Sequence, residues 1–129
     1  MKAFLSYAHS DAEFAASLRR ELERQGLFVI DPMQDLVPGA NMLDYFRQAL
    51  SDSDALIQIV PQTGASQANN VWFEAGAAKA LDKSVVAVMP DAQGRETASS
   101  VADFAIFQAS KKPMENVAKT LIQALDPAH

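Results

Sequence analysis

The sequence predicts an α/β fold in which a doubly wound, five-stranded parallel sheet carries helices on both faces. Three observations predict it. Strand-like apolar runs alternate with helical periodicities about five times along the chain. Several of those runs are apolar at nearly every position, as strands buried on both faces must be. The 129 residues make one domain, long enough to bury roughly two-thirds of the unfolded surface around a single core.

Taken in order, Ala3-Phe4-Leu5-Ser6-Tyr7 is the first strand. Ser10 ahead of Glu13 reads as a capping box, the hydroxyl bonding an amide three residues on while the glutamate reaches back. Phe14, Leu18 and Leu22, with Ala15, then keep helical spacing, and Arg19, Arg20, Glu21 and Glu23 take the other faces. Gly26 stops this helix. Leu27-Phe28-Val29-Ile30 is apolar throughout, as a buried strand would be, and Asp31 to Asn41 is a loop with two prolines and Gly39.

Leu43, Phe46 and Leu50 form the next helical stripe, and Ser51-Asp52-Ser53-Asp54 reads as a turn. Ala55 to Val60 is a third strand, ended by Pro61. Polar residues from Gln62 to Asn70 lead into a helix rich in small residues, Val71 to Leu81. Val85 to Met89 is the fourth strand, Asp91 to Ser100 a loop and Phe104 to Phe107 the fifth strand. Pro113 suits a helix start, and Val117, Leu121 and Leu125, flanked by Ala118 and Ile122, make the last amphipathic helix. This alternation fits the flavodoxin-like strand order 2-1-3-4-5, whose ligands bind beyond the carboxyl ends of the strands.

Composition and motif content exclude much. With no cysteine the chain has no disulfides, thiolate metal sites or cysteine nucleophile. Eleven basic against 16 acidic side chains give a net charge of −5, which argues against binding nucleic acid by phosphate neutralisation. The longest apolar run, Val85 to Met89, is far short of a membrane span, and no leader follows Met1, so a cytoplasmic location without membrane association is expected. The five glycines are too widely spaced for a dinucleotide-binding turn or a phosphate loop. Ser6-Tyr7 and Val60-Pro61 stand where a phosphoacceptor receiver would carry acidic residues, and no nucleophile elbow is present. His9 and His129 are too few for a histidine metal cage, and no metal site is expected. Asp31 and Asp35, without a third ligand, read as solvated turn residues.

Glu74 stands out. It is the one charge of the stretch Asn70-Val71-Trp72-Phe73-Glu74-Ala75-Gly76-Ala77-Ala78, in a helix rich in small residues and near the end where the helix dipole favours a carboxylate. It either stabilises its own helix or performs chemistry at the mouth of the sheet.

The surrounding residues resemble a bacterial TIR (Toll/interleukin-1 receptor) domain. Phe4-Leu5-Ser6-Tyr7 followed by His9-Ser10-Asp11 is similar to the family's first box, and Asp31 through Leu36-Val37-Pro38-Gly39 to its BB loop. Ser53-Asp54-Ala55-Leu56-Ile57 and Phe73-Glu74-Ala75-Gly76 continue the match, which runs over residues 3–90. The resemblance implies one of two roles, an NAD+-cleaving enzyme or an association module. The enzymes use a glutamate on this helix, usually with tryptophan four positions earlier. By position the glutamate is Glu74 and the tryptophan position is Asn70, a departure. Trp72 is two residues from Glu74, about 200° around a helix, and packing is its expected role.

One carboxylate suffices for that reaction. Hydrolysis of an O-glycoside usually takes two, since the leaving oxygen needs a proton. The nicotinamide of NAD+ is already cationic and leaves neutral, so the protein has only to stabilise an oxocarbenium-like ribose. NAD+ is then substrate, and no cofactor is implied. Tyr7 and His9, just after the first strand, are candidate substrate contacts; Tyr7 reads equally as a core tyrosine, and His9 as a solvated loop residue. Gly39 and Asn41 are further candidates in the BB-like loop, where they also serve turn and helix-cap roles. Asn70 is the last candidate contact.

The resemblance further implies self-association through the BB-like loop, Asp31 to Asn41, with a site shared between protomers. It implies a sensor domain or partner protein, the chain being an excised fragment or one subunit of a two-component system, in bacterial anti-phage defence or related signalling. Two alternatives stand beside it. Glu74-Ala75-Gly76-Ala77-Ala78 and Lys83-Ser84-Val85-Val86 also resemble nucleoside 2-deoxyribosyltransferases, and a non-catalytic adaptor would need only the association surfaces.

Overall fold

A computed structural model describes residues 2–31, 42–60, 84–90, 105–109 and 112–125. Five parallel strands, β1 (Lys2–Ser6), β2 (Phe28–Ile30), β3 (Ala55–Ile59), β4 (Ser84–Met89) and β5 (Ala105–Gln108), pair in the order β2-β1-β3-β4-β5. Among the described residues three α-helices accompany them: α1 (Ala12–Arg24), α2 (Met42–Asp52) and α3 (Met114–Leu125). The order is the one expected from the sequence.

The chain moves outward from β1 to β2, then reverses past β1 to β3 and on to β5. Right-handed crossovers in opposite directions must lie on opposite faces. The packing follows that rule. Ala3, Leu5, Ala55, Ile57, Val86 and Val88 point to a first face, where Ala15, Leu18 and Leu22 of α1 and Val117, Leu121 and Leu125 of α3 cover them. Phe4 and Leu56 point to the second face and meet Ala49 and Leu50 of α2. Val60, Ala87 and Met89 form a separate apolar patch on that face.

Burying each of the long aliphatic side chains of α1 and α3 contributes about 1.5–3 kcal/mol, so the first face is a large source of stability. The two helices are also tied by polar contacts at their ends. Gln25 donates to the Glu115 carbonyl at 3.0 Å, and the Arg24 guanidinium lies between Glu21 and Glu115. The hydrogen bond from Arg24 holds the Glu21 carboxyl below its ordinary range. Water screens the exposed Arg24 and Glu115 ends of this cluster, so it adds little beside the core.

Four local expectations are corrected. Helix α1 begins at Ala12 after a 3₁₀ turn, His9–Asp11, and its N-cap Asp11 makes no side-chain cap bond, so the Ser10–Glu13 capping box is not its starting device. Ser51 and Asp52 belong to α2, and the Ser53 hydroxyl then donates to the Ala49 carbonyl at 2.7 Å. Strand β5 runs one residue beyond Phe107, to Gln108. Phe28 is 61% exposed, because β2 is an edge strand paired only with β1; the Lys2 ammonium lies 5.9 Å from its ring centroid. The helix expected over Val71 to Leu81, and the loop beyond Asp31, lie outside the described residues.

Gly26 does what its position suggests. It adopts φ +98°, Leu27 N–H donates to the Leu22 carbonyl at 3.0 Å and Gly26 N–H to that of Glu23 at 3.0 Å. These two bonds make a Schellman motif, and buried Leu27 and Leu22 complete it on the apolar side. A Cβ at Gly26 would meet nothing within 4 Å, so substitution is opposed by backbone conformation alone. We therefore expect Gly26→Ala to lower stability by about 1–2 kcal/mol without altering the fold, as read by urea unfolding and circular dichroism.

Candidate functional site

Reversal of the chain at β1 makes a topological switch point between β1 and β3, and in open α/β sheets a crevice forms there beyond the carboxyl ends. Ser6, the last residue of β1, pairs in register with Gln58 of β3 at this point. Tyr7 and Ala8 follow, then the turn from His9. Asp31 leaves β2 at the same edge of the sheet.

Alternation along the chain turns Tyr7 onto the first face, where it packs with the α1 and α3 cluster. Its ring is 4% exposed, and its hydroxyl donates to both Asp31 carboxylate oxygens, at 2.9 and 3.0 Å. Asp31 is itself 1% exposed. A buried carboxylate is costly unless bonded, and the Tyr7 hydroxyl is one group that bonds it. Arg19 approaches from α1, with Nη1 3.9 Å from Asp31 Oδ2 and Nη2 3.5 Å from the Val29 carbonyl oxygen. Contacts of that length bias the local field more than they make tight bonds. Together the three side chains tie the end of β1, the end of β2 and the middle of α1, and fix where the segment beginning at Asp31 leaves the sheet.

On the second face Ser6 and Gln58 stand side by side, both buried. Leu56 and Val60 flank Gln58 along its own strand, and Ala87 pairs with it across β4. Gln58 is 0% exposed, and neither Nε2 nor Oε1 has a hydrogen-bond partner. An unmet buried amide costs about 1–3 kcal/mol, so a glutamine kept here calls for a reason.

The structure thus brings Tyr7 and the exposed His9 to the carboxyl end of β1. The expected solvated role for Asp31 is corrected: it is buried and bonded to Tyr7. Glu74, Gly39, Asn41, Asn70 and Asp35 lie outside the described residues. Sequence reasoning placed Asp31 in solvent and passed over Gln58. The available signals were a carboxylate directly after an apolar strand run, and one amide inside another. Among the described residues no group of three or more His, Asp or Glu side chains could hold a metal ion, and no helix is long and apolar enough to cross a membrane.

Removing the tyrosine hydroxyl takes a hydrogen-bond donor away from the buried Asp31 carboxylate. We expect Tyr7→Phe to lower stability by about 1.5–3 kcal/mol. Urea unfolding of Tyr7→Phe, Asp31→Ala and the double variant should show the pair losing less together than the sum of its parts.

Known proteins share this architecture. The TIR domain of the Toll-related receptor TRR-2 from Hydra magnipapillata aligns with a TM-score of 0.74 at 16% identity, over 95% of this chain and 96% of that one. A CMP N-glycosidase of Clostridium botulinum, BcmB, gives 0.62 at 17% identity, over 95% and 99%. A 2-deoxyribosyltransferase from Leishmania mexicana gives 0.62 at 15% identity, over 94% and 95%. At such identities the likeness is one of fold. No curated protein matches the sequence. The family described as TIR domain matches residues 3–122, nearly the whole chain and every described strand. With the strand order and the switch point agreeing, this chain belongs to the TIR-domain family.

Proposed function

We propose that this TIR domain cleaves NAD+ at the nicotinamide–ribose bond, with Glu74 stabilising the ribose cation. The observation that carries the reading is the segment joining the two central strands: it leaves β3 at the carboxyl edge and holds, over Asn70 to Ala78, a single carboxylate among uncharged, mostly small residues. Two fold neighbours support it from outside the family, being named for N-glycosidic cleavage and deoxyribosyl transfer.

The chemistry follows from charge. Nicotinamide departs as a neutral base, leaving positive charge on the ribose ring. A fixed carboxylate stabilises that charge and accepts hydrogen bonds from ribose hydroxyls. Attack by water gives ADP-ribose, and attack by a nucleophile of the same molecule gives a cyclic product. His9, Gly39, Asn41 and Asn70 are the proposed substrate contacts, His9 from the exposed end of β1. Tyr7 serves by anchoring Asp31, the first residue of the BB-like segment. Self-association through Asp31 to Asn41 completes the site, and a sensor domain or partner protein controls it.

A second reading is favoured by the deoxyribosyltransferase fold and by Asn70 standing where tryptophan is usual: a nucleoside-cleaving enzyme using the same glutamate. Nucleosides incubated in buffer distinguish the two.

NAD+ loss at high protein concentration, wild type beside Glu74→Gln, tests the proposal. We expect loss with wild type and a rate lower by about 10²–10³-fold in the variant. Equal loss in both would remove Glu74 from the mechanism. Self-association of folded protein with NAD+ intact would make the chain an adaptor.

A further inference from the structure

Gln58 is the one buried side chain among the described residues whose polar atoms are left unmet, and its place is specific. It pairs with Ser6 at the β1–β3 switch point, one residue before the carboxyl end of the central strand, on the opposite face from Tyr7 and Asp31. The apolar neighbours on its face, Leu56 and Val60 along the strand and Ala87 beside it, offer no side-chain partner. Burying that amide opposes folding. A leucine or methionine would fill the position and extend the apolar patches on either side. An unmet amide calls for a partner, and this one stands at the end of the sheet where the fold takes its ligands.

An amide presents N–H donors and an acceptor oxygen side by side in one plane. A phosphate or carboxylate satisfies only the donors. A carboxamide satisfies both atoms through two antiparallel N–H···O bonds. We propose that Gln58 is a specificity-determining residue whose side-chain amide hydrogen-bonds a carboxamide on the ligand; taking NAD+ as substrate, this is the carboxamide of its nicotinamide. Gln58 thereby reads the departing base, while the carboxylate acts on the ribose. The assignment rests on the NAD+ reading but not on turnover.

Binding separates the two. NAD+ and its carboxylate analogue, with nicotinic acid in place of nicotinamide, are titrated by calorimetry against the Glu74→Gln chain, which keeps the ligands intact. The same is done with Gln58→Met and Gln58→Asn added, and each protein is melted without ligand. We expect the parent to prefer NAD+. Gln58→Met should melt about 2–8 °C higher, bind NAD+ at least tenfold more weakly and lose the preference. Gln58→Asn, which keeps the amide but withdraws it by one methylene, should weaken NAD+ binding without the gain in melting temperature. Unchanged NAD+ affinity and preference in Gln58→Met would overturn the assignment and make Gln58 a structural amide. A parent that does not bind NAD+ would overturn it as well. Amide-dependent binding by a wild type that never cleaves NAD+ would sustain Gln58 and end the hydrolase reading.

Discussion

Parallel pairing of β1 with β3 is the constraint on which the rest of the molecule depends. Both strands are interior, so every residue from Ala3 to Ser6 and from Ala55 to Ile59 must be accommodated on one covered face or the other. A slip of one residue would exchange the faces, turning Phe4 and Leu56 toward α1 and α3 and exposing Leu5 and Ile57 to α2. The register Phe4 with Leu56, Leu5 with Ile57 and Ser6 with Gln58 is therefore held by two independent cores at once. Reversal of the chain sends α1 and α2 to opposite faces, and the switch point between β1 and β3 is a consequence of the same step.

Polarity enters the sheet where that burial ends. Tyr7 and Asp31 on one face, and Ser6 and Gln58 on the other, all lie at or next to the carboxyl ends of β1, β2 and β3. The first pair is satisfied within the chain and stabilises it, fixing the exit of the segment that begins at Asp31. Gln58 is not, and opposes folding. A stable apolar scaffold tolerates such a residue, and functional sites are where proteins keep groups that cost stability. The difference in hydrogen bonding thus divides support from recognition more sharply than position alone.

Most of the fold was legible in the sequence because it rests on periodicity. The near-continuous apolar runs marked interior strands, the Leu18–Leu22 and Leu121–Leu125 spacings marked the helix faces that are buried, and Gly26 marked a turn that needs positive φ. What stayed hidden depends on partners. Phe28 looked buried, since an apolar run does not reveal that its strand lies at an edge. Ser10 and Glu13 had capping-box spacing, yet a 3₁₀ turn intervenes before α1. Asp31 looked solvated because its partner is 24 residues away and meets it only once β1 and β2 pair. Tyr7 read equally as core or contact; its ring is in the core and its hydroxyl acts at the edge. Glu74 drew attention as a lone charge among small residues, a signal of composition that periodicity alone would have passed as a helix end.

The most direct test of the account follows nicotinamide itself. Proton NMR of NAD+ with wild-type chain over a rising series of protein concentrations reports bond cleavage and its dependence on assembly together. The account predicts free nicotinamide appearing one for one with the NAD+ lost, at a rate per protomer that climbs with concentration. Intact NAD+ at every concentration, from protein that is folded and self-associated, would contradict it.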